Sequence, residues 1–189
     1  MTWEEELFGF LEELEEQAGA VLGAERDLEV ADRSRAEYQQ VSLVSRMQAS
    51  LGRDLVLHVC GAGPVRGRLE RVCATWCLLV SGAPGAVGAV RGQEWIVALD
   101  AVAAVDGAAE RSVPEVAWSP LTRLGLGSAL RRLGDAEERC VVHRRDGGRH
   151  EGVPGRVGHD FVELVEGSGP QVRVALVAFA AIGAVQSAG

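Results

Sequence analysis

Cysteine and histidine, four of each, are the residues of this chain with the strongest intrinsic chemistry. His58 and Cys60 form a His-x-Cys, and Cys73 and Cys77 a Cys-x3-Cys. Zinc would need both ligands within about 2.3 Å of the ion, yet residues four apart on a strand are separated by ~13 Å at ~3.3 Å per residue. As strand residues, Cys73 and Cys77 cannot share an ion, so the cysteines are expected as small buried hydrophobes and no metal or cofactor is expected. Nucleophilic catalysis would need a base beside the nucleophile on a strained turn, and neither a nucleophile elbow nor a triad context accompanies these residues. His150, Glu151, His159 and Glu163 fall close together in sequence but read as surface groups. The glycine-rich stretch from Ser81 to Gly92 has no Gly-Lys-Ser or Gly-Lys-Thr, and the chain contains no lysine. That stretch therefore reads as a hairpin loop and not as a phosphate cradle. The expectation is a protein that is not an enzyme and has no small-molecule substrate.

Nucleic-acid contact is the remaining chemical class. Arg131, Arg132, Arg139, Arg144, Arg145, Arg149 and Arg156 lie in one segment with five acids (Asp135, Glu137, Glu138, Asp146 and Glu151), a net charge of +2. Arg131, Arg132, Arg144, Arg145, Arg149 and Arg156 are the candidate phosphate contacts. Strong binding usually requires a far more basic face, so nucleic acid is the second reading and not the first.

Charge is distributed unevenly around the total of −8. Residues 1–40 hold twelve acids and three arginines, a net −9, which leaves the remainder at +1. An acidic arm repels nucleic acid and anionic membranes and favours a basic protein surface. The start, Met1-Thr2-Trp3 followed by three glutamates, lacks the positive charge of a secretory leader, and the longest strongly apolar run, Val174–Val185, is shorter than the ~20 residues of a bilayer span. A cytoplasmic protein is expected, with no membrane association.

These residues must be positioned by three kinds of element. Thr2 and Glu5 form a capping-box pattern, and Leu7, Leu11, Leu14, Val21 and Leu28 follow at heptad spacing, which predicts a helix that either engages a partner or pairs with itself as a coiled coil, or folds as an amphipathic helix onto the body. A second helix is expected over roughly 34–50, with Tyr38, Val41, Val44, Met47 and Leu51 inward, and a third over Pro120–Leu133, carrying Leu121, Leu124, Ala129, Leu130 and Leu133 on its apolar stripe. From Leu55 the period becomes two, and short strands separated by turns follow. They resume after Cys140, where Asp146-Gly147-Gly148 marks a hairpin.

The two sets of strands match. At an offset of 85, Val56 meets Val141, His58 meets His143, Trp76 meets Phe161 and Leu79 meets Leu164. Past the glycine-rich loop, Val97-Ala98-Leu99 meets Val174-Ala175-Leu176 at an offset of 77. Gly67 and Gly152 coincide inside the second strand of each set, where glycine suggests a sharp bend. Helix, strand, turn, bent strand with a central glycine and three further short strands resemble the Sm-like fold, over roughly 41–105 and 121–185. The full chain also resembles an uncharacterised actinobacterial family with an acidic N-terminal helix and tandem domains of this kind. The Asn and the Arg-Gly pair through which the Sm-like group binds RNA have no counterparts in Cys73–Cys77, Gly158–Val162, Leu99–Ala101 or Leu176–Ala178.

The resulting expectation is an α+β protein. An acidic helical arm (1–50) precedes a first small β-barrel (51–111), a linker and helix (112–136) and a second small β-barrel (137–189). Its expected role is as an interaction or adaptor protein with a protein partner or with itself. The alternative is a divergent Sm-like RNA- or DNA-binding regulator.

Overall fold

In the computed structural model the described residues are Trp3, Phe8, Phe10, Glu13, Glu16, Arg33, 35–82, 92–167 and 169–188. The chain forms two compact units, Met1–Val41 and Ser42–Gly189. In the first, Trp3, Phe8, Phe10, Glu13, Glu16, Arg33 and residues 35–38 are helical and exposed. The heptad positions Leu7, Leu11, Leu14, Val21 and Leu28 lie outside the described residues. Among the described residues no coiled-coil helix is seen, and that expectation is set aside.

The second unit opens with helix α1 (Leu43–Gln48), whose N-cap Ser42 accepts a hydrogen bond from the Ser45 amide. The predicted helix over 34–50 is thus broken at Gln39–Ser42; Met47 is fully buried, but Tyr38 and Leu51 are exposed. Among the described residues ten strands follow: β1 (Asp54–Val59), β2 (Gly63–Val72), β3 (Trp76–Ser81), β4 (Gln93–Ala98), β5 (Val102–Asp106), β6 (Cys140–Arg144), β7 (Arg149–Val157), β8 (Phe161–Glu166), β9 (Arg173–Ala178) and β10 (Ile182–Ser187). Helix α2 (Leu126–Asp135) precedes β6. The helix predicted from Pro120 is a short 3-10 turn at Pro120–Arg123 and then α2, so Leu121 and Leu124 stay exposed while Leu126 and Leu130 are buried.

The strands do not form two helix-plus-small-barrel repeats, and the Sm-like tandem-barrel expectation is corrected. They make one open antiparallel sheet of ten strands in the order β5-β1-β2-β3-β4-β10-β6-β7-β8-β9. The physical reason lies at β4. Its outer edge is not left to close on its own half but pairs with β10, in the register Ala184↔Val97, Val185↔Ile96 and Gln186↔Trp95, so the sheet runs on. The sequence offset of 85 instead marks matching pairings, such as Leu55↔Gly67 and Cys140↔Gly152. The offset of 77 is wrong by three residues. Trp76↔Ala98 and Phe161↔Ala178 align β4 with β9 at 80.

Gly67 and Gly152 sit where the second strand of each half passes close to its neighbour. A Cβ on Gly67 would lie 2.8 Å from the Val80 carbonyl oxygen, and one on Gly152 would lie 2.3 Å from that of Val165. Only a residue without a side chain permits this approach.

Two apolar cores lie in this unit. Leu57, Leu69, Leu79 and Val97 centre the first, and Leu130, Val142, Leu164 and Ile182 the second. The cores interlock at the β4–β10 seam: Ala184 joins the first core, whereas Cys73, Trp76 and Ile96 from the first half join the second. The stretch before α2 is stitched across the same seam, with the Ala74 amide donating to the Thr122 carbonyl (2.7 Å) and Trp76 Nε1 donating to that of Leu124 (2.8 Å). On the sheet's other face, Trp95 lies over His143 at 5.2 Å between ring centroids, and His143 Nε2 is 2.8 Å from Gln186 Oε1.

Candidate interaction edge

Strand β9 reads Arg-Val-Ala-Leu-Val-Ala, an arginine followed by an unbroken apolar run. It pairs with β8 from Phe161↔Ala178 to Glu166↔Arg173. On its other side no strand pairs with it among the described residues. Val177 points into the core at 3% exposure, but Leu176 is 69% exposed, Val174 57% and neighbouring Val172 50%. Natural sheets protect such edges with charge, proline or a bulge, because unpaired N–H and C=O groups beside apolar side chains recruit another strand. The opposite edge, β5, carries exposed Ala103, Ala104 and Asp106, with Asp106 Oδ2 2.9 Å from His58 Nε2.

A polar cluster anchors the start of β9. Arg173 Nε and His150 Nδ1 contact the two oxygens of the buried Glu166 carboxylate at 2.5 and 2.6 Å. Burial would raise the pKa of Glu166, but the hydrogen bonds from His150 and Arg173 outweigh it and hold the carboxyl below its ordinary range. Arg144 approaches His150 Nε2 at 3.4 Å and pairs with Asp146. The cluster ties down the first residue of the strand, Arg173, through Glu166.

The structure disperses the arginines singled out from sequence. Arg144, Arg145 and Arg149 sit at the β6–β7 hairpin, Arg156 is seven residues along β7 from Arg149, and Arg131 and Arg132 are on α2. Arg149 and Arg156 are thus roughly 23 Å apart along an extended strand. Arg144 pairs with Asp146, Arg145 with Asp100 at 2.5 Å, and Arg156 with Glu163 at 2.8 Å. Arg131, Arg132 and Arg149 are exposed.

The chain matches no protein-family model, no curated protein and no solved structure.

Cys73, Cys77 and Cys140 are buried, and Cys60 is exposed. Burial raises the Cys77 thiol strongly and pushes Cys140 up to about 11 against the opposing charge of Arg139, so these thiols stay protonated and weakly nucleophilic. No group of three or more His, Cys, Asp or Glu is placed to hold a metal ion among the described residues. An open groove of about 720 Å³ runs between α2 and the β3–β4 face, over Trp76, Leu78, Ile96 and Leu133. Its rim mixes Arg71 and Arg132 with Glu94, Asp135 and Glu138, charges of both signs. No helix among the described residues is long and apolar enough to cross a membrane.

Sequence reasoning missed Val172, Val174 and Leu176. Their alternation was visible, but which strand lies at the end of the sheet is set by the pairing order and not by local pattern.

Proposed function

We propose that this chain is a non-enzymatic interaction protein whose working surface is the β9 edge, onto which a partner adds a strand. The observation that carries the reading is that, among the described residues, β9 pairs on one side only while turning Val174 and Leu176 to solvent. Strand addition draws affinity from main-chain hydrogen bonds and selectivity from alternate side chains, and both are available here. The acidic segment at residues 1–40, at net −9, would favour a partner with a basic surface.

The test is fluorescence anisotropy of a labelled extended peptide with alternating valines and flanking arginines, titrated with the full chain beside single-stranded RNA and duplex DNA. Peptide binding that is lost in Val174→Arg and Leu176→Arg supports the reading. Peptide binding indifferent to both substitutions overturns it. Nucleic-acid binding that survives physiological salt and depends on Arg144, Arg145 and Arg149 would replace it with the regulator reading.

A further inference from the structure

The geometry points to a second copy of this chain as the partner of β9, with the β5 edge of that copy occupying the place that β10 occupies against β4. The inference rests on the reading of β9 as an interaction edge and names what fills it.

The chain already contains one such joint. On β1, strand β5 pairs His58↔Ala104, Leu57↔Val105 and Val56↔Asp106; on β6, strand β10 pairs His143↔Ala184, Val142↔Val185 and Val141↔Gln186. The two registers agree residue for residue, including the break beside the histidine, His58/Val59 in one and Ile182/Ala184 in the other. Strands β4 and β9 agree in the same way: Trp76↔Ala98 and Leu79↔Trp95 match Phe161↔Ala178 and Leu164↔Ala175. The β4–β10 joint inside the chain is therefore a template for β9 against β5 between chains. Transferring its register puts Leu176 opposite Val105, Val177 opposite Ala104 and Ala175 opposite Asp106.

Burial on the two sides of this comparison supports the same occupant. At the internal joint Ile96 is 8% exposed, Val97 and Ala184 are 0% and Val185 is 1%. At the free edges Leu176, which stands where Ile96 stands, is 69% exposed, and Ala104, which stands where Ala184 stands, is exposed. A helix repeats the contrast. Helix α2 lies on β7 as α1 lies on β2. Leu126, at the start of α2, is buried with Ile96 in the second core, while Leu43, at the start of α1, is 43% exposed. A neighbouring β9 would bring Leu176 to Leu43. No like charges meet across the transferred register, since Asp106 faces Ala175.

Because β5 and β9 are the two ends of one sheet, the joint is head-to-tail, and each chain offers one of each edge. That property gives the test. Full-length protein is examined by light scattering coupled to size exclusion at micromolar concentration, with Leu176→Arg blocking β9, Ala104→Arg blocking β5, and Val116→Arg as an exposed control outside the sheet. The wild type and the control should have the mass of several chains, and each edge variant that of one. An equimolar mixture of the two edge variants should reach the mass of two chains and stop there, through the one intact pair of edges. Wild type that stays a single chain overturns the inference, as does a mixture that remains monomeric. Assembly lost in Leu176→Arg but kept in Ala104→Arg would mean that β9 pairs with β9, which also overturns it. The broader reading is judged separately: peptide binding by a monomeric wild type would keep β9 as an interaction edge with a different partner, and loss of both would remove it.

Discussion

Gly152 offers the sharpest measure of how closely β7 is held to β8. A Cβ there would lie 2.3 Å from the Val165 carbonyl oxygen and 2.8 Å from its carbon. That carbonyl belongs to a residue paired in the β7–β8 ladder, opposite Val153, so the clash falls on backbone that cannot rotate away. Three residues along the same strand, a Cβ on Gly155 would sit 3.5 Å from the Glu163 carbonyl oxygen, an ordinary contact. Replacing glycine by alanine restricts the unfolded chain alike at both sites and stabilises by about 0.5 kcal/mol where the native backbone accepts it. Overpacking against fixed neighbours costs about 3 kcal/mol at the upper end of the usual range. Gly152→Ala should thus destabilise by about 2.5 kcal/mol, and Gly155→Ala should stabilise by about 0.5 kcal/mol. With a urea dependence of about 2 kcal/mol per molar, the unfolding midpoint should fall by about 1.2 M in the first variant and rise by about 0.2 M in the second. Tryptophan fluorescence during urea unfolding reads both. A Gly152→Ala midpoint equal to the wild type, or a larger loss in Gly155→Ala, would refute the close approach.

Two further outcomes follow from the buried polar groups. Glu166 has a carboxyl pKa held below its ordinary range, so its ionised form adds stability above the unfolded value of about 4.3, and that stability is lost as pH falls through the lower folded value. Glu166→Gln should therefore be less stable than the wild type at neutral pH and should lose less stability between pH 7 and pH 3, compared by urea midpoints at both; equal losses would assign the acid sensitivity to other groups. Thiol titration at mildly alkaline pH should label Cys60 rapidly in the native protein and Cys73, Cys77 and Cys140 only after denaturation, since those three are buried. Fast reaction of a second thiol in the native state would contradict their burial.

The strands were legible in the sequence because half-buried β structure alternates along the chain: Leu55, Leu57 and Val59 announce β1, and all three are buried. The coincidence of Gly67 and Gly152 was visible in the sequence, where it suggested a sharp bend; that a side chain at either would strike a carbonyl is seen only in the structure. What local pattern does not encode is whether an edge closes on its own half or continues into another. That choice is made by Trp95, Ile96 and Val97 meeting Gln186, Val185 and Ala184. The three-residue error in aligning β9 has a similar origin: Val-Ala-Leu occurs in both halves, at Val97–Leu99 across the end of β4 and at Val174–Leu176 inside β9, and only the pairing of Phe161 with Ala178 fixes the register. The helix predicted over 34–50 failed at Ser42, whose side chain caps a new helix, a role that apolar spacing does not report. The candidate edge was visible as alternation at Val172, Val174 and Leu176, but its exposure follows from topology.

The position of β10 also bears on how the sheet can be assembled. It is the last of the ten strands in sequence, yet it lies inside the sheet between β4 and β6. Until it is in place, the strands before it form two separate pieces, each with a raw apolar edge: Ile96 and Val97 on one and Val142 on the other. Joining them pairs residues about 90 positions apart, the kind of non-local contact that slows folding. In an emerging chain, where β10 is made last, β4 is open to any available strand, including the β10 of a neighbour. Exchange of β10 between chains would give a domain-swapped form, and lowering the protein concentration during refolding would suppress it.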